Sequence, residues 1–296
     1  MRHCSAICVF AALLSLSSTP GAQTIGTLAK VKESGVIVLG HREASIPFAY
    51  LAGTEPVGFS MDICQKIVDE VKKATGRSDL VVRKQTVTAA NRIPLIQNGT
   101  IDMECGSTTN NSERNKQVAF STNLFYTGSS FLVKVGSPVK SIADLKGLKV
   151  AAQAGTTNIL VLRKLDREMS LNVDLVSTKD HTEGLLLLES DRVQAYMSDD
   201  VVLYGLRANA RHPEELAVVG DPIQVEPYAI ILRKDDPAFK AVVDGVIANL
   251  MKSGEFHALY KKWFQSSIPP RGINLNATLS PVLDASLRQL SDKPRF

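Results

Sequence analysis

The sequence predicts an α/β fold of two lobes, each a mostly parallel sheet flanked by helices. Two observations carry that expectation. A strand-helix-strand-helix-strand order occurs between residues 36 and 105 and again between residues 148 and 198, and such alternation implies parallel strands with helices on the sheet faces. A further strand and two amphipathic helices then follow the second set, between residues 227 and 264. A chain of 296 residues with 44% hydrophobic and 22% charged residues suits one large domain or two ordinary ones. That composition excludes a disordered, collagenous or small disulfide-built chain.

Taken in order, the chain opens with Arg2, an apolar stretch from Ala6 to Leu16 and small residues around Thr19 to Ala22. This is the order of a secretory signal cleaved after Ala22, and the stretch is shorter than the roughly 20 residues of a membrane span. Cys4 and Cys8 would leave with it, and neither lies where a lipid-modified Cys would be needed. After a polar helix from Thr27 to Glu33, Val36 to Gly40 reads as a strand buried on both faces. Ser60 is placed to cap a helix with Ile63, Ile67, Val68 and Val71 on one face, and Gly76 ends it. Leu80 to Lys84 is a strand, Asn91 to Gln97 a helix stopped by Asn98-Gly99, and Ile101 to Cys105 a strand.

The second set follows the same plan. Leu148 to Ala152, Val173 to Ser177 and Ala195 to Ser198 are strands, separated by helices from Thr156 to Asp166 and from His181 to Ser190. Pro227 to Arg233 reads as a strand, and Phe239 to Lys252 and Glu255 to Phe264 as helices around Gly254. These last elements are expected to return and complete the first lobe. The expected division is therefore residues 1–22 as signal, 23–126 with 230–275 as lobe 1, 130–226 as lobe 2, 127–129 and 227–229 as a two-strand hinge, and 276–296 as a C-terminal tail. A cleft between hinged lobes suits closure on a small ligand.

The net charge of +4 comes from interleaved acids and bases without a Lys/Arg stripe, so nucleic acid is not an expected partner. Cys64 and Cys105 remain in the mature chain, one on an expected helix and one on an expected strand. An oxidising compartment allows them to pair, but sequence does not place their Cα atoms within range.

Gly40-His41-Arg42-Glu43 with Pro47-Phe48, Val57-Gly58-Phe59-Ser60, Asn91-Arg92-Ile93-Pro94-Leu95, and Glu104 through Asn111 with Glu113-Arg114 form an ordered series. It continues through Asp144-Leu145-Lys146-Gly147, Gly155-Thr156-Thr157, Lys179-Asp180-His181, Asp199-Asp200, Leu232 to Pro237 and Ile268-Pro269-Pro270. In this order the motifs resemble the periplasmic solute-binding proteins of ATP-binding-cassette amino-acid importers (solute-binding protein family 3), and within them the glutamate/aspartate binders. The resemblance covers nearly the whole mature chain. It implies the type II periplasmic-binding-protein fold, a periplasmic monomer without cofactor or metal, an acidic L-amino acid as ligand, and an inner-membrane permease as partner.

The ligand-binding residues expected on that basis divide the ligand into parts. Ser107 and Thr109 offer hydroxyl and backbone donors, and Arg114 can grip a carboxylate with two parallel bonds. Thr156 and Thr157 open a helix whose free N–H groups attract an anion; in the family both elements hold the α-carboxylate. Asp199 would accept the ammonium, with Asp200 one slip away. Arg42, Arg92 and His181 correspond to residues that surround the side-chain carboxylate, so a neutral side chain would leave two guanidinium groups buried without a counter-ion. The chain departs from the pattern at Ala89, where relatives have Ser, and at Gln153-Ala154, where they have Thr-Ser. Ala89 removes a donor, which leaves glutamate against aspartate open and makes room for a larger acidic ligand.

Plainer readings stand beside these. His181 could cap its helix, Thr156 and Thr157 could be ordinary first-turn residues, and Phe48 and Tyr50 could be pocket or core. The alternative function is a dehydratase-type enzyme on the same fold acting on a dicarboxylate. It would need a poised carboxylate among Glu43, Glu104 and Asp199, and the five His residues show no metal-ligand spacing. A receptor sensor domain would need a membrane span, and no stretch approaches one.

Overall fold

The computed structural model describes residues 26–296, so the expected signal segment lies outside the described residues. Two five-stranded sheets organise the chain. In the first, the β-branched run Val36–His41 pairs in parallel with Val81–Thr86 on one side and Met103–Glu104 on the other. Ile231–Leu232 then inserts antiparallel between Met103–Glu104 and Ala119–Phe120. The second sheet runs Asp174–Thr178, Lys149–Gln153, Ala195–Asp199, Phe125–Lys134, Leu216–Tyr228. Its first three strands are parallel and its last two antiparallel, so both sheets are mixed.

The long strands Phe125–Lys134 and Leu216–Tyr228 carry the chain between lobes as one antiparallel ladder, with Thr127 opposite Glu226 and Phe125 opposite Tyr228. The sequence predicts a single strand from Pro227 to Arg233. The chain instead leaves the second sheet at Tyr228 and joins the first at Ile231. The cause is the segment after Met103–Glu104, which crosses at this point: Thr109 bridges Tyr228, and the Ala229 N–H donates to the Thr108 carbonyl at 3.1 Å.

The helix expected after Ser60 spans Phe59–Thr75, but Gly58 occupies its N-cap. Gly58 has φ +138°, and a Cβ there would stand 2.2 Å from the Phe48 carbonyl oxygen, so only glycine lets the helix start against that turn. Ser60 lies inside the helix and donates its hydroxyl to the Gly106 carbonyl at 2.8 Å. Helix Phe59–Thr75 is also bonded to the site-bearing loop covalently: Cys64 and Cys105 form a disulfide, with Cα atoms 6.2 Å apart.

Phe48 and Tyr50 are core residues. Phe48 sits edge-on to Phe125 and Tyr228 at 5.0 Å, and Phe264 stacks on Phe125 at 5.1 Å. This aromatic cluster lies at the root of the two connecting strands. The residues after 276 form helix Pro281–Arg288 and then an extended end whose carbonyls accept from the connecting region: Ser291 from the Asn123 N–H at 2.8 Å, and Phe296 from the Ser112 N–H at 2.9 Å. Sequence left unread the small sheet Ala44–Ser45, Ala49–Ala52, Glu55–Val57 and helix Asp200–Asn209.

Candidate functional site

The nine residues singled out in the sequence line one small, nearly closed cavity. Local structure explains why each arrives there. Arg42 follows the end of Val36–His41, and Arg92 opens helix Arg92–Gln97. Ser107 and Thr109 lie on the loop after Met103–Glu104, and Arg114 lies in helix Ser112–Asn115, whose cap Asn111 accepts from the Arg114 N–H at 2.9 Å. From the other side, Thr156 caps helix Thr157–Met169, so both Thr residues sit at a helix start. His181 does not cap its helix. Asp180 does, accepting from the Glu183 N–H at 2.9 Å, and His181 is left to face inward. The site thus gathers at carboxyl ends of strands, where open α/β sheets bind ligands.

The lobes meet across this cavity. Arg114 donates to its own side at the Thr109 carbonyl, 2.8 Å, and to the opposite side at the Gly155 carbonyl, 3.1 Å. Arg42 donates to the Gln153 amide oxygen at 3.0 Å, while the Gln153 amide nitrogen donates to the Lys179 carbonyl at 2.8 Å. Gln153, one of the departures from the family pattern, is therefore what joins Arg42 to the second lobe.

The charges are buried and crowded. Burial, and then the nearby Arg92 charge, pull Arg42 down to about 10 and Arg114 to about 9; both remain protonated at neutral pH. Arg92 is itself buried, and its Nε and Nη1 have no hydrogen-bond partner. The facing Glu104 oxygen is 4.0 Å away and equally unpartnered. Arg92 thus has a partial counter-ion that the sequence reading did not give it, yet unsatisfied donors at such a site are what an anionic ligand would fill. His181 is held neutral by burial first and by Arg42 and Arg92 next, and its Nδ1 lies 2.7 Å from the Tyr196 hydroxyl.

Asp199 is the carboxylate facing these cations from the end of Ala195–Asp199. Burial and the neighbouring Glu226 charge push its carboxyl up, against hydrogen bonds from the Tyr228 hydroxyl and the Asn158 amide. The neighbour Asp200 is turned away, accepting from the Thr127 hydroxyl and the Val201 N–H. Of the two candidates for an ammonium partner, Asp199 is the one in the cavity.

Sequence reasoning missed Asn158, Gln153's contact and Glu226. Glu226 is fully buried and accepts from the Thr109 hydroxyl at 2.6 Å and the Thr157 hydroxyl at 2.5 Å. The available signal was its position, a lone charge heading the apolar run Pro227 to Leu232. Starting the strand at Pro227 put Glu226 outside it.

Residues 37–266 match the pattern of the bacterial extracellular solute-binding proteins, family 3. The chain belongs to that family. It is 46% identical over 288 residues to an L-glutamate/L-aspartate-binding protein of Pseudomonas aeruginosa, covering 96% of this chain and 95% of the relative. It is 45% identical over 268 residues to a glutamate/aspartate import solute-binding protein of Escherichia coli K12, covering 90% and 89%. Among solved structures, a mutant of the arginine-binding protein ArgBP of T. maritima superposes with a TM-score of 0.71 at 27% identity, over 80% of this chain and 99% of that one. These relatives are binding proteins by name, and they lend nothing to the dehydratase alternative. For this solute-binding protein the two-lobed α/β architecture read from the sequence is the family's own.

Proposed function

We propose that this solute-binding protein captures an acidic L-amino acid, glutamate or aspartate, by closing its lobes around it, and delivers it to the inner-membrane permease of an ATP-binding-cassette importer. One observation carries the reading: Arg42, Arg92 and Arg114 are buried around one cavity, with unpartnered donors on Arg92 and with Asp199 opposite. A zwitterion with a second carboxylate satisfies that set. Its α-carboxylate would lie between Arg114 and the first turn of helix Thr157–Met169, near Ser107 and Thr156. Its ammonium would meet Asp199, and its side-chain carboxylate would meet Arg42, Arg92 and the neutral His181. The names of the relatives at 45–46% identity support the same ligand class.

The motion would be a rotation of lobe 1 (23–126 with 230–275) against lobe 2 (130–226) about residues 127–129 and 227–229. We place the mature protein in the periplasm as a monomer, exported by the segment 1–22. No described helix is long and apolar enough to cross a membrane.

The test is a thermal-unfolding scan of protein refolded from denaturant to strip carried-over ligand, with L-glutamate, L-aspartate, their amides, L-arginine and a dicarboxylate added separately. Ligand at a thousand times its Kd adds about 4 kcal/mol and raises the midpoint by roughly 8 °C. A shift with glutamate or aspartate and none with the amides is expected. Shifts with the amides or arginine instead would overturn the ligand class.

A further inference from the structure

Glu226 sits among cations yet is bonded to none of them. Its partners are the Thr109 and Thr157 hydroxyls, both on Oε2, and at 3.4 Å the Gln224 amide on Oε1. The buried carboxylate that faces Arg92 is Glu104, at 4.0 Å. Both hydroxyl bonds have the length of a hydroxyl donating to a carboxylate.

A hydroxyl has one proton to give and two lone pairs. With both protons directed at Glu226, the two Thr oxygens, 3.4 Å apart, have only lone pairs left for the cavity. They are acceptors there, whereas the sequence reading made the Thr109 hydroxyl a donor. An ammonium group, with three donors and no acceptor, fits beside them and Asp199; a carboxylate, with acceptors only, gains no bond from these two hydroxyls. We propose that Glu226 is a positioning residue that fixes the Thr109 and Thr157 hydroxyls as acceptors and so selects ligands carrying an α-ammonium group over the corresponding amine-free diacids.

The inference rests on the acidic amino-acid reading and adds what enforces the amino group. The placement of Glu226 supports it. Its carboxylate lies on the connecting strand Leu216–Tyr228 and holds one Thr from the loop after the first sheet and one from the helix of the second. The Asp199 carboxyl feels the Glu226 charge next after burial, so two carboxyl groups stand where one cation would be received.

The test compares L-glutamate with glutarate, its amine-free counterpart, by calorimetry and competition in the full chain. Variants are Glu226→Met, which removes the acceptor, Glu226→Gln, which keeps one acceptor oxygen, and Thr157→Val, which removes one of the positioned hydroxyls. Glu226→Met is expected to weaken glutamate by about tenfold or more, the scale of a lost bond to a charged group, while glutarate holds or gains. Glu226→Gln should recover part of the preference, and Thr157→Val should lose it in the same direction. If Glu226→Met does not fold, the other two variants decide. Equal weakening of both ligands, or an unchanged preference for glutamate, would overturn the proposal. A wild-type protein that binds neither glutamate nor aspartate would instead overturn the ligand class on which it rests.

Discussion

Gly155 and Ala89 press backbone to backbone across the cleft: a Cβ on Gly155 would stand 2.7 Å from the Ala89 carbonyl carbon and 2.6 Å from the Ala90 nitrogen. Gly155 also has φ +77°, a conformation that costs an L side chain roughly 1 kcal/mol. Gly155→Ala is therefore expected to hold the lobes apart without unfolding either one. Calorimetry should show glutamate affinity falling about tenfold or more, with a thermal midpoint close to wild type. Unchanged affinity would mean that the lobes need not approach this closely to hold ligand.

Arg42→Ala and Arg92→Ala should each weaken glutamate and aspartate by about ten- to a hundredfold, from bonds to charged groups worth roughly 1.5 to 3 kcal/mol. The two variants should differ in stability. Removing Arg92 leaves the buried Glu104 without its facing cation, whereas Arg42 donates to the neutral Gln153 amide. Arg92→Ala should melt lower than Arg42→Ala, and titrations unchanged in both would remove the assignment.

The buried Asp199 carboxyl titrates above its unfolded value of 3.8, because of burial and then Glu226. The folded chain thus holds this proton more tightly than the unfolded chain. The associated stability is full below the unfolded value and is lost as pH rises through the raised one. Without added ligand, the melting midpoint of Asp199→Asn should fall less than that of wild type between about pH 5 and about pH 8. The variant should also lose glutamate binding. Parallel pH profiles for the two proteins would show that Asp199 carries no such penalty.

The Cys64–Cys105 bond closes a loop with a sequence separation of 41. The chain-entropy relation gives about 4 kcal/mol for a loop of that size, which should lower the midpoint by roughly 8 °C when Cys64→Ser and Cys105→Ser are combined. Differential scanning calorimetry of the oxidised wild type against the double variant reads this directly. Equal midpoints would show that the bond adds nothing to the folded chain.

Much of this was legible in the sequence, for reasons that differ by element. Val36–His41 could be read because a β-branched run with no alternation has few uses besides a buried strand, and helix Phe59–Thr75 because its apolar spacing and Gly76 mark its face and end. The nine cavity residues followed from motif order, and the ends of strands brought them together. Glu226 could not be read this way, since its meaning lies in Thr109 and Thr157, which reach it from positions far apart in the chain. Nor could the switch of sheets after Tyr228, which depends on the crossing segment at Thr108 and Thr109. The cap of helix Phe59–Thr75 was misplaced because Ser60 is a good capping residue by type, while the close Phe48 carbonyl demands Gly58.

The insertion of Ile231–Leu232 between Met103–Glu104 and Ala119–Phe120 also governs the order in which this polypeptide can mature. A nascent chain that has reached residue 200 contains most of the strands but neither sheet whole, because the second still lacks Leu216–Tyr228 and the first still lacks its inserted strand. Such a chain leaves strand edges unpaired in both sheets until synthesis passes Leu232. Long-range pairings of this kind close late and slowly. The topology that lets two lobes share one ladder therefore also delays completion of both sheets until the strands Leu216–Tyr228 and Ile231–Leu232 have been made.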